Sequence, residues 1–123
     1  MIVSAWGDER DRLIAQGKVL LNIHCKKSFL IYESLRCDRW LFAGMPVVSE
    51  NVPLADEIDV TPLMFLCEYD QLVETVAMVL ENYPACKERS RELIPEIAAK
   101  RKEYLKAFTQ YLHQGAFSAP AKK

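Results

Sequence analysis

Residues 18–50 constrain the fold more than any other stretch. Gly17 precedes a short apolar run, Lys18-Val19-Leu20-Leu21-Asn22-Ile23-His24-Cys25, that ends in polar side chains. A helical pattern follows from about Leu30 to Ala43 and stops at Gly44, before a second run, Met45-Pro46-Val47-Val48-Ser49-Glu50. Strand, helix and strand within about thirty residues is the size of a βαβ unit, which requires a parallel pair joined by a right-handed crossover. Ligands of open parallel sheets sit beyond the carboxyl ends of the strands. Here those ends carry His24, Cys25, Lys26 and Lys27, then Ser49, Glu50 and Asn51.

The rest of the chain extends this alternation. Ile2–Trp6 reads as a short β-branched strand, broken at Gly7-Asp8, and Asp8 caps a helix over roughly Glu9–Gln16. Val19–Ile23 is an almost unbroken apolar run, as expected of a strand covered on both faces. Ser28 is placed to cap the next helix, whose inward positions are Leu30, Ile31, Leu35, Trp40, Leu41 and Phe42. After a strand at Val47-Val48, residues 51–61 read as a loop with a helical turn near Leu54–Ile58, and Leu63–Cys67 as another strand. Asp70 is expected to cap a helix over Gln71–Asn82 with Leu72, Val73, Val76, Val79 and Leu80 inward. Pro84 is expected to break that helix. A short helix over Cys86–Leu93 and a last one from Pro95 to about Gln114 follow, the last with a stripe of Ile97, Tyr104, Leu105, Phe108, Tyr111 and Leu112. The sequence therefore predicts an α/β, three-layer Rossmann-like domain over residues 1–114, with a short, mainly parallel sheet of about four strands and C-terminal helices. Residues 115–123 are expected to be a disordered tail.

At 123 residues and a formal net charge of −1, the chain is one domain without the electrostatics of bulk nucleic-acid binding. Its longest apolar run is too short to span a bilayer. The start Met1-Ile2-Val3-Ser4-Ala5 lacks the pattern of a signal peptide, so the cytoplasm is the expected setting. Cys25, Cys37, Cys67 and Cys86 have no CxxC spacing and read as ordinary reduced thiols.

Several residues carry candidate chemistry. His24 and Cys25 are adjacent on a strand and point to opposite faces, so they do not form a nucleophile–base pair with each other. Alone, His24 is either satisfied by a nearby carbonyl or is a ligand-binding group. Lys26, Lys27 and Ser28 precede a helix N-terminus, an arrangement that suits a phosphate or diphosphate, although solvated turn lysines have the same pattern. Glu33 and Arg36 stand three apart on the helix and can pair. No set of His, Cys, Asp or Glu shows metal-ligand spacing.

The run Val19-Leu20-Leu21-Asn22-Ile23-His24, the segment Glu33-Ser34-Leu35-Arg36, and Leu41-Phe42-Ala43-Gly44-Met45-Pro46-Val47-Val48-Ser49-Glu50 together resemble the nucleotide-sugar-binding half of GT-B-fold glycosyltransferases, most of all the CgeB-like and related group-one transferases. Trp6–Asp11 and Glu68–Leu72 are similar to segments that flank this core in those proteins. The resemblance implies a C-terminal Rossmann-like domain that binds a nucleotide-diphosphate sugar, with catalysis largely electrostatic and no cofactor. It places His24, Lys26, Lys27, Ser28 and Arg36 on the diphosphate side and Glu33 at the sugar, with Ser49 and Glu50 at the neighbouring strand end. Where related retaining enzymes carry a ribose-binding glutamate, this chain reads Asp38-Arg39-Trp40-Leu41. The acceptor-binding N-terminal domain of the family has no counterpart here. The expectation is thus an incomplete donor half-site, inactive alone, with an exposed sheet edge that a second copy of the chain covers. Two rival readings use the same scaffold: a non-catalytic protein-interaction module, and a flavodoxin- or receiver-like signalling domain. The receiver form expects acids at the end of its first strand, where Ala5-Trp6 stands instead.

Overall fold

Three short parallel strands hold the molecule together. The computed structural model describes residues 6–26 and 31–114. Strands β1 (Leu20–Asn22), β2 (Val47–Glu50) and β3 (Met64–Cys67) form one sheet in the order β1-β2-β3. Both pairings are parallel, with Leu20 opposite Val47 and Val47 opposite Met64. Helix α1 (Gly7–Ile14) leads into β1, α2 (Ser34–Phe42) joins β1 to β2, and α3 (Leu72–Glu81) and α4 (Tyr83–His113) follow β3. Short 3₁₀ turns at Ala55–Glu57 and Thr61–Leu63 fill the β2–β3 connection, close to the helical turn expected there.

Alternation along the strands divides the core in two. Leu20, Val47, Met64 and Leu66 pack with Cys37 and Leu41 of α2, Val60, Leu63, and Ile94 and Ile97 of α4. Val48, Phe65 and Cys67 pack on the opposite face with Leu72, Val76 and Val79 of α3 and Cys86 of α4. Val47 and Val48 are both fully buried, which is why β2 reads as an unbroken apolar pair. Cys37, Cys67 and Cys86 are buried, Cys25 is exposed, and all four are free thiols. Burial pushes the Cys37 thiol up to about 11.

The end of α2 explains the sharp stop read at Gly44. The Gly44 N–H donates to the Leu41 carbonyl at 2.8 Å and the Met45 N–H to the Trp40 carbonyl at 2.9 Å. These are the two bonds of a Schellman motif, and Gly44 adopts the left-handed φ of +75° that the motif requires. Lys87 Nζ of α4 then donates to the Gly44 carbonyl at 2.6 Å, tying the turn to the long helix.

Several expectations are corrected, and others fall outside the described residues. The described sheet has three strands; residues 2–5 of the expected first strand lie outside the described residues, and Trp6 is the extended, exposed residue that precedes α1. Helix α2 begins only at Ser34, so Ile31 precedes it and is exposed, and Leu35 is 101% exposed rather than inward. The expected capping residue Ser28 lies outside the described residues, and Glu33 occupies the N-cap position. Asp70 does not cap α3. Gln71 holds the N-cap position of α3 without a side-chain cap, and Glu68 instead caps the 3₁₀ turn over Tyr69–Gln71 that runs into the helix: its N–H donates to Gln71 Oε1 at 3.2 Å and its side chain accepts from the Gln71 N–H. Val73 and Leu80, expected inward on α3, are exposed. Pro84 sits in the first turn of α4, where its missing N–H costs nothing. The two expected C-terminal helices are one helix of 31 residues that passes through Pro95. Ile94 and Ile97 pack into the core on either side of that proline and hold the helix through it. Of the stripe expected on the last helix only Ile97 is buried; Tyr104, Leu105, Phe108, Tyr111 and Leu112 are exposed. The expected tail, 115–123, lies outside the described residues.

Candidate functional site at the strand ends

The carboxyl ends of β1 and β2 carry a connected set of polar side chains. Asn22 ends β1 and is fully buried, as is Ser49, its partner in register on β2. The Asn22 amide Nδ2 donates to Ser49 Oγ at 3.0 Å, and the Ser49 hydroxyl donates to the Glu50 carbonyl at 2.8 Å. Arg36 reaches over from α2, with Nη1 3.5 Å from Asn22 Oδ1 and Nη2 2.8 Å from Glu33 Oε2. The i,i+3 pair read from the sequence therefore forms, and it is joined to the strand end through Asn22.

His24 and Glu50 make a second junction between the same strands. The His24 backbone N–H donates to Glu50 Oε2 at 2.5 Å. Its ring is almost sealed, with the side chain 2% exposed. Nδ1 lies 3.4 Å from Glu50 Oε2 but makes no hydrogen bond, while Nε2 lies 3.2 Å from the Ile31 carbonyl. His24 thus fastens the segment before α2 to the end of β2, and its ring faces a carboxylate and a carbonyl.

Beside this set a cleft of about 630 Å³ opens between α1, β1 and α2, lined among others by Arg10, Leu20, Glu33, Arg36, Arg39 and Trp40. Arg10 and Arg39 converge on Asp11, and their guanidinium groups, Arg10 first, hold its carboxyl below the usual carboxylate range. Arg39 also stacks over the Trp40 ring at 5.4 Å. Three guanidinium groups line the cleft, and each is held by an acid, Arg10 and Arg39 by Asp11 and Arg36 by Glu33; their remaining N–H groups are the forked donors that phosphate and carboxylate oxygens accept.

Of the residues singled out from the sequence, His24, Glu33, Arg36, Ser49 and Glu50 meet at the ends of β1 and β2. Lys26 lies on the exposed turn after β1, and Lys27 and Ser28 lie outside the described residues. Asn22 was missed as a functional group. The available signal was an amide inside an otherwise apolar strand, and its partner stands 27 positions away. A second polar cluster was missed as well. Tyr32 donates to Asp38, and Arg101 of α4 bridges Asp38 at 2.7 Å and Asp59 at 2.7 Å while stacking over Phe42 at 4.9 Å. Burial, and then the Asp38 carboxylate, push the Tyr32 hydroxyl far up. This cluster fastens α4 to α2 and to the β2–β3 connection. Among the described residues no group of three or more His, Cys, Asp or Glu side chains is arranged to hold a metal ion, and no helix is long and apolar enough to cross a membrane.

Relatives of this chain occur in Acanthamoeba polyphaga mimivirus. It is 42% identical over 114 residues to "Uncharacterized protein L140", matching 89% of this chain and 36% of that protein. It is 40% identical over 113 residues to "Uncharacterized protein L137", matching 89% of this chain and 15% of that protein. A third, "Uncharacterized protein L138", is 44% identical over 79 residues, 63% of this chain and 9% of that protein. The chain therefore spans little more than a third, or less, of the length of these relatives. No family model and no solved structure matches it.

Proposed function

We propose that the chain is a glycosyltransferase-type donor domain that binds a nucleotide-diphosphate sugar and requires a separate acceptor-binding domain for transfer. The observation that carries this reading is the meeting of Asn22, Ser49 and Arg36 at the carboxyl ends of two adjacent parallel strands, beside a cleft lined by Arg10, Arg36 and Arg39. Ligand sites of open parallel sheets occur at that place, and fixed cations there offset the charge that develops on a leaving diphosphate. In this reading Arg36, Lys26, Lys27 and Ser28 lie on the diphosphate side and Glu33 contacts the sugar. His24, Ser49 and Glu50 hold the strand ends in place. The layering is Rossmann-like, with a sheet wider than the three described strands, and the setting is cytoplasmic, in keeping with free thiols. A second copy of the chain covers the edge of β1.

Titration with UDP, GDP and their sugars, by calorimetry and by NMR shift mapping, tests the reading. Saturable shifts at His24, Lys26 and Glu33–Arg36 are expected, with Arg36→Ala weakening binding by about tenfold, or ~1.4 kcal/mol. Absence of shifts at millimolar ligand, or binding that Arg36→Ala leaves unchanged, refutes it. The second reading, a non-catalytic interaction module, is favoured by one observation: the aromatic stripe on α4 is exposed.

A further inference from the structure

Among the described residues, the ring Nδ1 of His24 is the one buried side-chain nitrogen or oxygen without a hydrogen-bond partner. The His24 side chain is 2% exposed, so the ring is closed off from bulk water. Nε2 lies 3.2 Å from the Ile31 carbonyl, a group that only accepts, so Nε2 carries a hydrogen. Nδ1 faces Glu50 Oε2 at 3.4 Å. The same oxygen takes the His24 backbone N–H at 2.5 Å and therefore acts as an acceptor. A neutral imidazole has a single N–H group; once that is spent on Ile31, Nδ1 turns a lone pair toward a carboxylate. The imidazolium has two N–H groups, and the protein sets an acceptor beside each. The surroundings of the ring are complementary to its charged form.

Charged groups reach this junction from each neighbouring element. Glu50 of β2 is the acid that meets the ring. Arg36 of α2 reaches Asn22, two residues before His24, and is paired with Glu33. Glu68, just after β3, takes the amide of Asn51, the residue after Glu50, at 2.5 Å. Lys26 lies on the turn that follows His24. Among the described residues no third metal-ligating side chain joins His24 and Glu50, so the gap between them suits a proton and not a metal ion. Ile31 leads directly to Tyr32 and to Glu33, the N-cap of α2, and both line the cleft with Arg36.

We propose that His24 and Glu50 form a proton-operated latch on the start of α2. With the ring doubly protonated, Nε2–H donates to the Ile31 carbonyl and Nδ1–H to the Glu50 carboxylate. The ring then ties the chain entering α2 to the end of β2. When Nδ1 gives its proton to solvent, a lone pair faces the carboxylate and the tie to β2 opens, while the bond to Ile31 remains. The tie is therefore present at acid pH and is lost as pH rises. Histidine is the side chain suited to such a change between about pH 5 and 8. Tyr32, Glu33 and Arg36 follow the start of α2, so the latch regulates the cleft in which the donor is proposed to bind. That regulatory step rests on the donor reading; the protonation state of the ring does not.

Ring-nitrogen NMR of the full chain, labelled with nitrogen-15 in its two histidines, tests the latch. At about pH 5.5 the His24 ring is expected to carry a hydrogen on both nitrogens, with an Nδ1–H signal protected from solvent, whereas the exposed His113 shows no such signal. Glu50→Gln removes the charge that holds the second proton and is expected to remove the signal, with circular dichroism checking the fold. Amide exchange of Arg36 and Cys37, whose N–H groups donate to the Glu33 carbonyl, reports on the start of α2. At the lower pH these amides are expected to be roughly tenfold better protected in the wild type than in Glu50→Gln, and equally protected near pH 8. A His24 ring with one protonated nitrogen at the lower pH, or equal protection in the two proteins there, overturns the latch. The wild-type ring spectrum decides even where the variant unfolds. Titration with UDP and GDP then separates the latch from the donor reading. A wild-type advantage over Glu50→Gln at the lower pH alone supports regulation of the cleft, and the same ratio at both overturns it. Absence of nucleotide binding refutes the donor reading and the regulatory step together, while the ring and the amides still decide the latch.

Discussion

The Asn22–Ser49 contact is expected to behave as a unit rather than as two independent polar residues. Both side chains are fully buried, and Ser49 Oγ is the one acceptor described for the Asn22 amide. Ser49→Ala leaves that N–H group without an acceptor in the interior, a loss of about 1–3 kcal/mol. Asn22→Ala removes the donor and leaves a small cavity, but the Ser49 hydroxyl still donates to the Glu50 carbonyl. Its cost therefore lies toward the lower end of the same range, about 1–2 kcal/mol. The Arg36 contact at 3.5 Å is long and adds little, since Glu33 retains the guanidinium. In the double variant no donor is orphaned, so its cost falls short of the sum by about 1 kcal/mol. Urea unfolding of the four proteins measures this. With a slope of about 1–3 kcal/mol per molar, each single variant lowers the midpoint by roughly 0.5–1.5 M. Effects that add to within about 0.3–0.5 kcal/mol refute the coupling and with it the description of the strand ends as one network.

Other outcomes follow from single contacts. Gly44→Ala is expected to cost about 1–2 kcal/mol, because an L-residue resists the left-handed φ of +75° and the new Cβ meets Lys87 Nζ at 3.3 Å; thermal unfolding reads it. Native protein treated with a thiol reagent near pH 8 is expected to lose the exposed Cys25 thiol quickly, and Cys37, Cys67 and Cys86 only after denaturation, as mass spectrometry shows. The Asp59 carboxyl is held below its ordinary 3.8, chiefly by the hydrogen bond from Arg101, so it contributes stability above that value that is lost as pH falls through the folded value. Urea midpoints between pH 6 and pH 3 are therefore expected to fall less steeply in Arg101→Met than in the wild type.

Strand β2 was legible because burial on two sides leaves a composition signal. The run Val19–Ile23 that holds β1, expected to be covered on both faces, has Leu21 and Ile23 exposed and was legible from its apolar composition alone. Val47-Val48 and Met64–Cys67 are apolar runs, and β1 stands within the run read at Val19–Ile23. The Glu33–Arg36 pair was legible from spacing alone, since residues three apart on a helix are neighbours. The contact of Asn22 with Ser49 was not legible, because it depends on the register of two strands and no local pattern encodes register. The helices were misread where propensity and packing disagree. Pro95 looks like a helix start, yet Ile94 and Ile97 anchor the turns on both sides of it. Leu35 and Val73 fit an inward stripe by spacing, yet no described layer covers them. Asp70 is a good capping residue, but Glu68 paired with Gln71 closes the turn before it.

The order of the three strands also sets how the protein comes apart. Val47 and Met64 are 17 positions apart in the chain, whereas Leu20 and Val47 are 27 apart. Closing the longer loop costs about 0.4 kcal/mol more. β1 also has a single described neighbour and three residues, against two neighbours for β2. Opening therefore begins at the N-terminal side: β1 and α1 peel away while β2, β3 and the helices packed on them remain closed. Amide protons of Leu20–Asn22 exchange with solvent through that partial opening, ahead of those in Val47–Glu50, which await loss of the whole sheet.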